Sequence, residues 1–186
     1  MMGKSAENVV GPQIEFRMNR NEMKIVSGAQ TGVDQGALLA AIDLGLEWGG
    51  WVPKGWRTEN GTVPALFRPK MREHEKSSFR GRTRRNVEDS HATLIVASTG
   101  PLTGGTLKTL VFCQELMRPH VVVHLDEEDA AGRVRQWLER FFAAEHPVPF
   151  VLNVAGPRES KSCGIQQRTR DLLVEVLGGM LQRNGN

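Results

Sequence analysis

Apolar and polar positions fall into blocks that read strand, turn, helix, and then repeat. Residues 23–34, M-K-I-V-S-G-A-Q-T-G-V-D, place Ile25 and Val26 before small and polar residues, and a helical pattern follows from Val33 to Leu46. This predicts a buried strand, a tight turn and a helix, the opening half of a βαβ unit. Gly45 marks the helix end, and Trp48 to Val52 predicts a second strand. Thr93 to Ala97, T-L-I-V-A, is the third, with the continuous apolar character of a parallel strand covered on both faces. A turn from Ser98 to Thr106 leads into a helix from Leu107 to about Met117, and Val121 to Leu125 is a fourth strand. Asp129 to Phe142 is amphipathic, with Val134, Trp137, Leu138 and Phe141 on one face. Pro149 to Val154 predicts a fifth strand, and Gly164 to Leu177 a last helix with Ile165, Leu172, Leu173 and Val176 inward. The expected fold is α/β: a three-layer sandwich with a mostly parallel sheet of about five strands and helices on both faces.

Glycine-bearing turns follow the first, third and fifth strands. In an open α/β sheet, ligands bind beyond the carboxyl ends of strands where the strand order reverses. For an order 2-1-3-4-5, strands one and three flank that reversal and their turns face one crevice. Gly28 and Gly32 permit tight backbone approach, and the amides opening the next helix favour an anion. Gln30 and Asp34 add polar side chains at the same lip, although Thr31 or Asp34 would equally serve as a helix cap. The second turn, T-G-P-L-T-G-G-T at 99–106 after Ser98, repeats the arrangement. Together the turns point to a ligand bearing phosphate. Neither is G-x-G-x-x-G nor a P-loop with its Lys-Ser/Thr, which weighs against dinucleotide and ATP-hydrolase readings.

With 186 residues the chain suffices for one well-buried domain. Residues 1–22 mix Gly, Pro, Asn and charge without periodicity and are expected to be a flexible extension outside the core. Residues 23–186 are expected to form a single ligand-binding domain with a long basic connection at about 55–88. That connection follows P-K-G-W-R-T-E-N-G-T (53–62), which carries Lys54 and Arg57. From Arg68 to Arg85 eight Lys or Arg stand against Glu73 and Glu75, in a chain whose formal net charge is only +3. Such a segment would serve phosphates, RNA or an acidic partner. Nucleic acid is not expected, because only Phe67 and Phe79 lie nearby to stack bases. Within R-T-R-R-N-V-E-D-S (82–90), Arg84 or Arg85 near a strand-end pocket would suit bidentate phosphate binding. No stretch has the length of a membrane span, and no signal peptide is visible. Cys113 and Cys163 match no metal spacing and are too few for a disulfide framework, nor do the five histidines form one, so a reduced cytoplasmic setting and no metal site are expected.

Five motifs together carry a resemblance: S-G-A-Q-T-G-V-D (27–34), G-W-V-P-K-G (50–55), R-T-R-R-N-V (82–87), G-G-T (104–106) and N-V-A-G-P-R-E-S (153–160). They resemble the putative molybdenum carrier family, the circularly permuted YpsA-like branch of the SLOG superfamily, related to the lysine decarboxylase-like proteins. The resemblance implies a Rossmann-like fold and a protein that binds and delivers the molybdenum cofactor (molybdopterin), while the wider superfamily implies nucleotides. Molybdate or phosphate would fit the same cradles. Matched motif by motif, the implied ligand shell is Gln30, Thr31 and Gly32, then Lys54, Arg82, Thr83 and Asn86. Gly104, Gly105 and Thr106 would form a second cradle, and Arg158, Glu159 and Ser160 would close the rim. The resemblance also implies a homo-oligomer, a dimer or tetramer, and a molybdoenzyme as client. Two departures stand out. Phe79 occupies a place often held by tyrosine, keeping a flat ring but losing a phenol. The cytokinin-activating phosphoribohydrolases of the superfamily resemble P-G-G-x-G-T-x-x-E, and here Thr109 stands at the glutamate's place. N-glycosidic cleavage needs a carboxylate, so the alternative of a nucleotide-processing enzyme loses ground and no catalytic residue is assigned.

Overall fold

The computed structural model describes residues 17–182. In chain order the elements are β1 (Met23–Val26), α1 (Val33–Asp43), β2 (Glu47–Val52), β3 (Arg57–Thr58), β4 (Gly61–Thr62), β5 (Met71–Glu73), α2 (Phe79–Glu88), β6 (Ala92–Ala97), α3 (Gly104–Glu115), β7 (His120–His124), α4 (Ala130–Phe142), β8 (Phe150–Ala155) and α5 (Ile165–Met180). Six strands form one sheet in the order β5-β2-β1-β8-β6-β7, with every pairing parallel. β3 and β4 make a separate antiparallel hairpin. The α/β sandwich expected from the hydrophobic pattern is therefore present, with six strands in its sheet rather than five.

The strand order departs from 2-1-3-4-5: the last strand, β8, enters between β1 and β6. Burial explains its place. Phe150, Leu152 and Val154 are buried, and so is Asn153, whose Nδ2 donates to Thr93 Oγ1 on β6 at 3.3 Å. A strand covered on both faces belongs in the middle of a parallel sheet. β7 exposes part of four of its five residues and takes the edge. The extra strand, β5, is three residues long and pairs with β2 through Met71, too short to display an alternation. α2 lies where the sequence shows no period, because its ten residues are mostly arginine and polar groups.

Helix ends follow local chemistry. α1 stops at Gly45, whose φ of 65° closes the turn while Leu46 N–H donates to Ala41 O at 2.9 Å. α4 begins at Asp129, whose carboxylate accepts from Gly132 N–H at 3.0 Å. α1 and α5 pack face to face, and a β-carbon at Gly36 would lie 2.3 Å from Gln166 O, so the helices meet through bare backbone. The main core joins these helices and α4 to the sheet; Ile25, Leu38, Leu94, Leu152 and Leu173 are fully buried in it. Each such side chain contributes about 1.5–3 kcal/mol by burial. A smaller cluster of Val87, Phe112 and Cys113 lies under α2 and α3. Of the expected 1–22 extension, residues 1–16 lie outside the described residues. Met18 is fully buried, and its N–H donates to Met180 O at 2.8 Å.

Candidate functional site

Because β1, β8 and β6 are neighbours, the three glycine-bearing turns that follow them sit side by side at the carboxyl edge of the sheet. Together with α2 they enclose a cleft of about 300 Å³. Nine of the residues expected at the site line it: Gln30, Asp34, Arg82, Thr83, Ser98, Gly104, Gly105, Thr106 and Arg158. Gly28, Thr31, Gly32, Lys54, Asn86, Glu159 and Ser160 do not line it.

The first turn, 27–34, is closed. Its amides from Gln30 to Val33 meet protein acceptors: Gln30 N–H donates to Asp34 Oδ2 (3.3 Å), Thr31 N–H to Gln30 Oε1 (3.0 Å), Gly32 N–H to Gln166 Oε1 (3.4 Å) and Val33 N–H to Pro157 O (3.2 Å). Those of Gly28, Ala29 and Asp34 meet none among the described residues but lie buried. Gly28 is glycine for a specific reason. A β-carbon there would stand 1.6 Å from Arg82 Nη1, so the guanidinium occupies that space. Arg82 is 8 % exposed, and its Nη1 pairs with Asp34 Oδ2 at 3.1 Å. Its buried Nε meets no acceptor among the described residues. Burial pushes the Asp34 carboxyl above its ordinary value, opposed by Arg82, the Gln30 amide and Ser27. Asp34 is thus the counter-ion of Arg82 rather than a helix cap, since Gly32 holds the capping position.

The turn after β6 is open. Thr103 precedes α3 without a side-chain capping bond, and Leu107 N–H is the first to bond back, to Thr103 O at 3.2 Å. The N–H groups of Gly104, Gly105 and Thr106 meet no acceptor among the described residues. A β-carbon on Gly104 or Gly105 would meet nothing within 4 Å, so this helix start faces free space. Thr109, at the place of the hydrolases' glutamate, lines the cleft and turns its Oγ1 inward to Gly105 O at 3.1 Å. Ser98 carbonyl oxygen is bonded by His124 Nδ1.

Two of the remaining expected residues, Asn86 and Glu159, bond to the frame. Asn86 grips the Trp51 backbone, accepting from its N–H at 2.8 Å and donating to its carbonyl at 3.2 Å. Glu159 caps α5, accepting from the amides of Gly164 and, at 3.0 Å, Gln166. Lys54 is exposed, its backbone N–H bonded to Lys76 O at 3.1 Å. Arg84 pairs with Glu88 and Glu115, and Arg85 with Glu88, so neither reaches the cleft; Arg82 and Arg158 do, with Lys161 beside them.

Glu59, at the tip of the β3–β4 hairpin, is the residue that local patterns miss. Its carboxylate accepts from the Thr31 and Ser160 hydroxyls and from Ser160 N–H at 3.2 Å, and Arg158 Nε stands 3.7 Å away. Its N–H donates to Gln30 Oε1 at 2.9 Å. Burial works against its charge, but the Ser160 and Thr31 hydrogen bonds and Arg158 outweigh it and hold the carboxyl below its ordinary value. The hairpin therefore clasps the first and last turns together. The one sequence signal was its place in a long, turn-rich connection.

These features define a Rossmann-like α/β protein with a basic cleft at the carboxyl edge of a parallel sheet. The chain belongs to the Circularly permutated YpsA SLOG family, whose model matches residues 25–177. It is also similar to the crystal structure of a protein from Syntrophus aciditrophicus SB named putative molybdenum carrier protein, at 41% identity and a TM-score of 0.74, over 84% of this chain and 94% of that one. No curated protein matches the chain.

Proposed function

We propose that this protein binds and carries a small anionic heterocycle, the molybdenum cofactor (molybdopterin) or a nucleotide, rather than transforming it. The observation that carries this reading is the open start of α3, where the amides of Gly104, Gly105 and Thr106 face the cleft without acceptors. Three unpaired amides at the positive end of a helix stabilise an oxyanion. Arg82, Arg158 and Lys161 add positive charge around the same space, against one lining carboxylate, Asp34, already held by Arg82. The name of the similar crystal structure gives the cargo its molybdenum. Among the described residues no three His, Cys, Asp or Glu side chains gather to hold a metal ion. A molybdenum atom would therefore arrive on the cargo's own organic ligand, or as molybdate, a tetrahedral oxyanion suited to the same amides.

Thr109 weighs against an N-glycosidase, since it offers a hydroxyl already bonded to Gly105 O where that chemistry needs a carboxylate. The wider proposal is a homo-oligomer in the cytoplasm that hands its cargo to a molybdoenzyme. Purification under anaerobic, low-phosphate conditions, followed by plasma mass spectrometry and liquid-chromatography mass spectrometry of the denatured supernatant, tests the cargo. Stoichiometric molybdenum with a pterin is the expected result. A nucleotide without molybdenum would move the protein to nucleotide binding, and release of free base from a nucleoside monophosphate would overturn the non-enzymatic reading.

A further inference from the structure

We infer that Phe79, clamped by Arg57, is a stacking platform that makes the cleft select a flat heterocycle joined to its oxyanion, rather than the oxyanion alone. The inference rests on the proposed anion seat and deepens it. Phe79 opens α2, lines the cleft and leaves 39 % of its surface exposed, unusual for a phenylalanine in a domain with a closed core. Its ring is not loose. The Arg57 guanidinium lies 5.5 Å from the ring centroid, and Arg57 Nη2 donates to Ser77 O at 2.6 Å, immediately before the Ser78 cap of α2. Thr83, one turn on, lines the cleft too and donates its Oγ1 to Phe79 O at 2.9 Å. The same hairpin that supplies Arg57 supplies Glu59, so one short element fixes both the ring and the closed turn.

A preset ring contributes stacking without first paying for its own immobilisation. It does nothing for a bare tetrahedral anion, which has no π-face to offer. The cleft, about 300 Å³, stands at the lower end of small-ligand sites and matches one ring system with one terminal phosphoryl group. The first turn is buried, and its amides from Gln30 to Val33 already hold protein acceptors, so it provides no open seat for a second phosphate.

The test is isothermal titration calorimetry of the full chain with guanosine 5′-monophosphate, whose base shares the 2-amino-4-oxopyrimidine ring of a pterin, and with ribose 5-phosphate. Phe79→Leu should weaken the nucleotide roughly tenfold, while ribose 5-phosphate changes less than about twofold. Phe79→Trp should restore the nucleotide, and Arg57→Gln should produce a smaller loss of the same selectivity. Equal losses for both ligands, or no loss for either, would overturn the platform and leave the anion seat standing. Wild-type protein that binds neither ligand would overturn the seat and the platform together.

Discussion

Two glycine-bearing turns open two helices at one edge of the sheet, and they have opposite fates. The turn at 27–34 is buried, and its amides from Gln30 to Val33 are taken by Asp34, Gln30, Gln166 and Pro157. The turn at 98–106 leaves its helix start unsatisfied and open. Glycine serves a different purpose in each. Gly28 makes room for a buried guanidinium, whereas Gly104 and Gly105 make room for something that is not protein. A glycine-rich strand-to-helix turn is thus a potential anion site only when no other segment of the chain has filled it first. Here the long basic connection and the last turn fill one and leave the other.

That contrast can be broken from either side. Arg82→Ala should have the largest effect, about 3–5 kcal/mol of lost stability, because the buried Asp34 carboxyl loses the partner that opposes its desolvation. Chemical denaturation measures it, and a loss under about 1 kcal/mol would mean the pair is more hydrated than its burial indicates. Gly28→Ala attacks the same pair from the opposite side. Its methyl displaces the guanidinium, and a lowered melting temperature should accompany weaker ligand binding. Gly105→Ala sharpens the comparison: stability should stay within about 0.5 kcal/mol, while affinity for a phosphate-bearing ligand falls more than tenfold, read by calorimetry. If Gly105→Ala unfolded the protein while Gly28→Ala left it intact, the assignment of the two turns would be reversed.

Glu59 gives a pH test of the closed turn. Its folded-state pKa lies below the ordinary value of 4.5, so its contribution is complete above that value and is lost as pH falls through the folded-state one. Glu59→Gln should therefore flatten the acid limb of the denaturation midpoint plotted against pH, with little change in slope near neutrality. Identical acid limbs would remove Glu59 from the clasp. The smallest effect belongs to Lys161, exposed at the rim: Lys161→Ala should weaken binding a few-fold at low ionic strength, and the difference should shrink with added salt.

Much of this was legible in the chain because it is local. The strand and helix blocks, the break at Gly45, the inward face of α4 and the three glycine-bearing turns all follow from spacing over a few residues. What escaped depends on partners distant in sequence. The central place of β8 is decided by which strands are covered on both faces, a property of the assembled sheet. Nothing near Gly28 announces that Arg82 will occupy its missing side chain, and nothing near Glu59 announces Thr31 and Ser160. The basic helix α2 lacked a period because its buried residues include Arg82 and Asn86, polar groups that a hydrophobic pattern counts as exposed. Lys54 and Asn86 both belong to matched motifs, and neither lines the cleft: Lys54 is exposed, and Asn86 holds the Trp51 backbone of β2.

The most direct test of the open seat is a nitrogen-15 NMR titration of the full-length protein with guanosine 5′-monophosphate. The largest amide shifts should fall on Gly104, Gly105 and Thr106, with the bonded amides of Gln30, Thr31 and Gly32 shifting little. Large shifts across 28–32 with none at 104–106 would contradict the account and return the anion to the first turn.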